Sequence, residues 1–287
     1  MELGLHIANF TWTGGPTQLG ASLARLAKTT EDAGFAAITV MDHVWQIGVV
    51  GPPEDDMLEA YTTLGFLAAH TERVRLHTLV TGVTYRSPGL LAKIVTTLDV
   101  LSAGRGVLGI GAAWNDEESS GLGLQFPPTA ERFERLEETL QICRQMWSSS
   151  DASYDGTHYQ LGRTLNSPPP ISQPRPRIMI GGTGERKTLR LVAKYADACN
   201  LFPGPDVAHK LDVLRGHCET ERRDYDSIEK TTTMSGDLSN GPDAFIEQLR
   251  PLHELGFSAA HLYVPGREPL ETVELLGAKV IPEISTW

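Results

Sequence analysis

Cysteine is scarce: 287 residues hold three, Cys143, Cys199 and Cys218, widely spaced and without a CxxC pair. That argues against a disulfide framework and a cysteine-based zinc site, and it reads as reduced thiols in a reducing compartment. Cys143 falls in an apolar helical stripe and is expected in the core. Positive charge is also short, with 25 Lys and Arg against 36 Asp and Glu and a formal net charge of -11. A nucleic-acid or anionic-membrane surface needs the opposite balance, so neither is expected as a partner. No apolar run approaches the roughly 18 residues of a membrane span, and "MELGLHIANF" lacks the basic start of a signal sequence. The expectation is a cytoplasmic protein that acts on a small molecule. Motifs for hydrolysis and metal chemistry are missing as well. Nine histidines give no HExxH, the serines give no GxSxG elbow, and no GxxxxGKS/T phosphate loop occurs. The acidic runs "EDD" at 54–56 and "DEE" at 116–118 read as solvated loops, because nothing fixes the separation that paired catalytic acids require.

What is present is a rhythm. Short apolar runs alternate with helical periodicity: "LGLHIANF" precedes "LGASLARLAKTTEDAGF", "AAITVMDH" precedes "MLEAYTTLGFLAAHT", and "VRLHTLVTG" precedes "PGLLAKIVTTLDVLSAGR". "GVLGIGAAW" with "RFERLEETLQICRQMW" makes a fourth pair, and four more follow after residue 176. The runs read as apolar on both sides, as in parallel strands covered by helices. Eight such units in one chain imply an α/β fold, a closed (β/α)8 TIM barrel formed by residues 1–287 as a single domain. The Pro-rich segment 155–176 interrupts the series between units four and five, and it reads as an insertion or loop over a barrel end.

In such a barrel the chemistry sits at the C-terminal ends of the strands. Strand one ends near His6, Asn9, Phe10 and Trp12, all expected to line the mouth. Strand two ends in Asp42 and His43, whose side chains point to opposite sides of an extended backbone. His43 is the candidate for proton transfer or for hydrogen bonding to a bound ring. Strand three supplies His77, Thr78, Leu79, Val80, Thr81 and Gly82, and strand four supplies Gly109, Gly111, Ala112, Trp114 and Asn115. The "GVLGIGAAW" run is not a dinucleotide fingerprint, for it lacks both the GxGxxG spacing and a following ribose anchor. Strand five runs into Gly181, Gly182 and Gly184, with Glu185, Arg186, Lys187 and Thr188 expected in the first helical turn. Free amides there, the Thr183 and Thr188 hydroxyls and the charge of Arg186 or Lys187 suit a phosphate, although any tight strand-to-helix turn also wants glycine.

The segments "LARLAKTTEDAGFAAITVMDH", "LLAKIVTTLDVLSAGRGVLGIGAAWNDEE", "ERFERLEETLQICRQMW" and "IMIGGTGERKTLRLVAKYADACN" stand in the order in which they occur in a known family. Over nearly the whole chain the sequence resembles the luciferase-like flavin and deazaflavin oxidoreductases, in particular the F420-dependent branch. The resemblance implies a pocket for coenzyme F420 or FMN at the strand C-termini, hydride transfer at the deazaflavin C5, and pairing into a homodimer through barrel helices. It places His43 beside the reacting ring with Asp42 next to it. It also implies a bulge at Thr78, Leu79, Val80 and Thr81 behind the ring, with a non-prolyl cis peptide expected at Thr78–Leu79. Gly111, Ala112 and Asn115 would wall the cofactor, and Gly181, Gly182, Thr183, Gly184 and Arg186 would hold its phosphate. Sugar-phosphate dehydrogenases of this branch carry a glutamate where this chain has Trp114, so an apolar wall replaces a proton-transfer partner there. The alternatives implied are an FMN-dependent monooxygenase and a non-catalytic F420-binding protein.

Overall fold

The computed structural model describes all 287 residues. Eight parallel strands make the barrel: β1 (Glu2–Ile7), β2 (Ala37–Val40), β3 (Arg75–Thr78, resuming as Thr81–Gly82), β4 (Val107–Gly111), β5 (Arg177–Gly181), β6 (Ala198–Leu201), β7 (Glu229–Ser235) and β8 (Ala259–Tyr263). Each pairs with its sequence neighbour, and β1 also pairs with β8, Leu3 opposite Ala260. The seam between β3 and β4 is thin. One bridge, Leu76 to Gly106, and the pairing of Thr81–Gly82 with Ile110–Gly111 close the circle.

Helices α1 (Pro16–Asp32), α2 (Ala60–Ala69), α3 (Pro88–Leu101), α4 (Thr129–Met146), α5 (Thr188–Tyr195), α6 (Val207–Glu221) and α7 (Pro242–Glu254) cover the outside, followed by a C-terminal helical run from Pro269 to Ile284. Proline opens α1, α3 and α7, where its missing N–H costs nothing and its fixed φ suits the first turn. The core is the layer between strands and helices. Leu3, Leu5 and Ile7 of β1 pack with Leu19, Leu23 and Leu26 of α1, and on the far side Ile178 and Ile180 of β5 pack with Leu189 and Val192 of α5. Each such side chain contributes about 2 kcal/mol on leaving water.

Inside the barrel the strands differ from the expected all-apolar runs. Residues between the outward leucines and isoleucines are polar or small: Gly4 and His6 on β1, Thr39 on β2, His77 on β3, Asn200 on β6, Thr231 and Thr233 on β7, His261 on β8. They are linked inward, with His6 Nδ1 2.8 Å from Thr39 Oγ1, and Asn200 bonded to Thr231 and Thr233 at 3.0 Å. The rings of His77 and His261 meet edge to face with centroids 5.4 Å apart. The period is two after all, compressed into strands of four to seven residues in which a single Thr or His reads as noise.

The Pro-rich segment does not lie over the mouth. Its hairpin, Tyr154–Asp155 against Gln160–Leu161, is held to α4, where Glu138 accepts from the amides of Thr157, His158 and Tyr159 at 2.8, 3.1 and 3.0 Å. Farther on, the buried Asp99 of α3 accepts from the amides of Ile171 and Ser172 at 2.7 and 2.9 Å. Because α3 runs antiparallel to the strands, that clamp sits toward the end of the barrel opposite the catalytic one. The insertion is a strap down the flank.

Candidate active site

The mouth is shaped by a break in β3. The chain leaves the sheet at Leu79–Val80, joined by a cis peptide bond, one residue beyond the position expected from the resemblance. Thr78 and Thr81 are fully buried beneath this bulge. Thr78 Oγ1 donates to Gly109 O at 2.9 Å and lies 2.8 Å from Thr81 Oγ1, which in turn lies 2.7 Å from the Tyr61 hydroxyl. These two threonines therefore hold the bulge from behind, while the partly exposed Leu79 and Val80 form its surface. Glycines make room where the bulge presses on its neighbours. A Cβ at Gly109 would stand 2.0 Å from Thr78 O, and one at Gly181 would stand 2.9 Å from Val80 Cγ1.

Asp42 and His43 diverge as their adjacency predicts. Asp42 turns into the protein, 3% exposed, and takes two hydrogen bonds from Arg86, at 2.6 and 3.0 Å, while Arg86 also donates to Glu59 at 2.5 Å and covers the Tyr61 ring. Burial pushes the Asp42 carboxyl up and the guanidinium opposes it. Its surroundings make it an anchor for the loop after β2. His43 faces the mouth instead. Its Nδ1 donates to Glu118 Oε2 at 2.7 Å, and its ring meets Trp114 edge-on with centroids 5.7 Å apart.

Glu118 is the residue that the sequence reading missed. The run "DEE" is not a solvated loop throughout: Asp116 and Glu117 are exposed, but Glu118 is wholly buried on a short helix, Asp116–Gly121. Its carboxylate collects His43 Nδ1, the Val44 amide, the Tyr85 hydroxyl at 2.9 Å and Asn115 Nδ2 at 3.3 Å. Burial alone would raise its pKa; the hydrogen bonds from His43, Val44 and Tyr85 outweigh that and hold it below the ordinary glutamate value. The same bonds place Asn115 on Glu118, whereas Trp114 stands out at 61% exposed. Phe10 and Trp12, expected at the mouth, are 1% and 9% exposed and pack in the core behind β1.

At the end of β5 the chain turns through Gly182, at φ +125°. The helix begins at Thr188, later than expected, so Glu185 to Lys187 form a turn ahead of α5. The backbone amides from Thr183 through Thr188 donate to no acceptor within the protein. Glu185 is engaged by Lys210 at 3.2 Å and Lys187 lies over the Phe133 ring, which leaves Arg186 exposed and unpaired. Successive free amides beside a cation form a nest that fits an anion. The nest on β5, the Val80 bulge and the His43 pair share the C-terminal end of the barrel.

A groove elsewhere, between α4 and the flank hairpin, is lined by Glu134, Glu137, Glu138 and His158; its acids are already spent on Lys194, Arg190 and hairpin amides. No helix is long and apolar enough to cross a membrane.

Comparison with known proteins converges on one family. The description "Luciferase-like monooxygenase" matches residues 1–269. An uncharacterized protein of Mycobacterium tuberculosis is 31% identical over 278 residues, covering 91% of this chain and 94% of the relative. An F420-dependent glucose-6-phosphate dehydrogenase of Microbacterium testaceum is 34% identical over 221 residues, covering 74% of this chain and 62% of the relative. Among solved structures, the F420-dependent tetrahydromethanopterin reductase of Methanopyrus kandleri superposes with a TM-score of 0.82 at 16% identity, covering 98% and 99% of the two chains. The FMN-bound oxygenating constituent of 3,6-diketocamphane monooxygenase from Pseudomonas putida gives 0.77 at 16%, covering 99% and 98%. The structural likenesses carry the barrel alone, whereas the sequence match spans nearly all of it: the chain belongs to the luciferase-like monooxygenase family of oxidoreductases.

Proposed function

We propose that this chain carries out redox chemistry on a small organic substrate at the barrel mouth, with the cofactor phosphate in the nest from Thr183 to Thr188 and the ring against the Leu79–Val80 bulge. The observation that carries the reading is the run of six free amides next to an unpaired Arg186, at the same barrel end as His43. When bound, the cofactor supplies the redox centre. The protein's share is to fix the phosphate, to back the ring with Val80 between Gly111 and Gly181, and to aim His43 at the substrate side. Asp42, Thr78 and Thr81 support that surface from within; Gly111, Ala112 and Asn115 wall it.

Two finer readings fit this site. The F420-dependent oxidoreductase, hydride passing at the deazaflavin C5, draws on the curated dehydrogenase relatives. The FMN-dependent monooxygenase draws the wider support, from the family description and the FMN-bound neighbour. Trp114 in place of a carboxylate argues against a sugar phosphate as substrate in either case. Titration of purified protein with F420 and with FMN, followed by ligand fluorescence, decides between them. Micromolar affinity for one alone assigns the cofactor, and binding of neither overturns the proposal.

A further inference from the structure

We infer that Glu118 is a positioning residue that fixes the tautomer of His43 and so determines which ring nitrogen serves the substrate. The inference rests on the oxidoreductase reading for its purpose, but not for its geometry.

A buried carboxylate can only accept. Glu118 is wholly buried, and its oxygens divide the work: Oε1 takes the Val44 amide, and Oε2 takes His43 Nδ1 at 2.7 Å together with the Tyr85 hydroxyl at 2.9 Å and Asn115 Nδ2. The proton of a neutral His43 ring is therefore on Nδ1. Nε2 is left with its lone pair, has no partner in the protein, and is not among the buried polar atoms that lack one. The Trp114 ring, edge-on to the imidazole, restricts rotation about the last side-chain bond. The outcome is an imidazole with one nitrogen tied down and the other presented to the mouth, able to take up or return the proton that accompanies the redox step.

Glu118 also reaches across the molecule. His43 follows β2 and Glu118 follows β4, on either side of the β3 bulge. A carboxylate with only a loop-anchoring role would accept from Val44 and Tyr85 and be indifferent to the His43 tautomer. The two roles separate at Glu118→Gln. A carboxamide offers one accepting oxygen, so with that oxygen on the Val44 amide its NH2 faces Nδ1 and forces the His43 proton onto Nε2.

The test is long-range 1H–15N NMR of the His43 ring in the cofactor-free protein at a pH where the ring is neutral, paired with steady-state kinetics. Wild-type protein should show the Nδ1–H tautomer, and Glu118→Gln should show Nε2–H, with kcat lowered about 100-fold, as for loss of a positioned acid–base group, and cofactor Kd changed less than about twofold. Tyr85→Phe removes a donor but leaves the carboxylate, and should keep both the tautomer and most of kcat. An Nε2–H tautomer in the wild type overturns the inference even if Glu118→Gln fails to fold, as does an unchanged tautomer in Glu118→Gln. Failure of the wild type to bind F420 or FMN would remove the oxidoreductase reading and leave the tautomer result standing.

Discussion

Arg86 grips Asp42 through both oxygens of a carboxylate that is almost completely buried, and its third contact, to Glu59, ties the loop after β2 to the start of α2. Removing the cation strands a buried charge. Arg86→Met should cost about 3 to 5 kcal/mol in urea unfolding, while Asp42→Asn, which leaves no stranded anion, should cost less and retain cofactor affinity. Equal losses in both variants would mean that the pair is not what holds Asp42.

The bulge of β3 is close enough to β4 to exclude any side chain at residue 109. Gly109→Ala places a carbon against the Thr78 carbonyl, a backbone atom rather than a flexible side chain, and about 1 to 3 kcal/mol of stability should be lost. Gly181→Ala meets the side chain of Val80 instead, which can shift. Its expected signature is weakened cofactor binding with a smaller change in the unfolding midpoint.

Arg186 is exposed and makes no ion pair, so the folded protein does not depend on it. Arg186→Ala should weaken binding of phosphate-bearing cofactor by about 10- to 100-fold, the worth of a hydrogen bond to a charged group, and leave the denaturation curve where it was. Affinity for the phosphate-free chromophore should be the same in mutant and wild type. A loss of equal size there would locate Arg186 against the ring.

Acid should destabilise this barrel through its interior. Burial, with His77 and His43 adding to it, lowers His6 to about 3, and burial lowers His77 to about 4; burial likewise puts His261 well below its usual value. All three are held neutral when folded, so their contribution is intact above the unfolded value near 6.5 and is lost as pH falls below it toward the folded values. Each costs up to about 1.4 kcal/mol per pH unit in that window. Urea midpoints should drop steeply between pH 6.5 and 5, and His261→Met, which removes two ring nitrogens without partners, should flatten the slope.

The barrel could be counted from the sequence because every unit repeats one device, a short apolar strand followed by an amphipathic helix. The turn after β5 was legible for a similar reason, since the glycines that permit it also announce it. Glu118 was not, because in "DEE" three identical charges share one short helix and only the packing of that helix against Tyr85 and His43 distinguishes the buried one. A signal existed in its place, on the short helix that follows the catalytic end of β4. The inward face escaped for a physical reason too. The eye weights leucines, which point outward to the helices, and passes over the single His or Thr between them. The strap, finally, could be recognised as an interruption but not placed, because its anchors, Asp99 and Glu138, lie on helices more than ten residues away.

Trp114 and Glu118 stand four residues apart, one 61% exposed and the other at 0%. The same loop thus carries a replaceable surface and a fixed interior. Exchanging Trp114 should therefore alter the rim of the mouth while leaving the carboxylate bonded to His43 Nδ1 where it is, so that shape and proton placement can be varied one at a time.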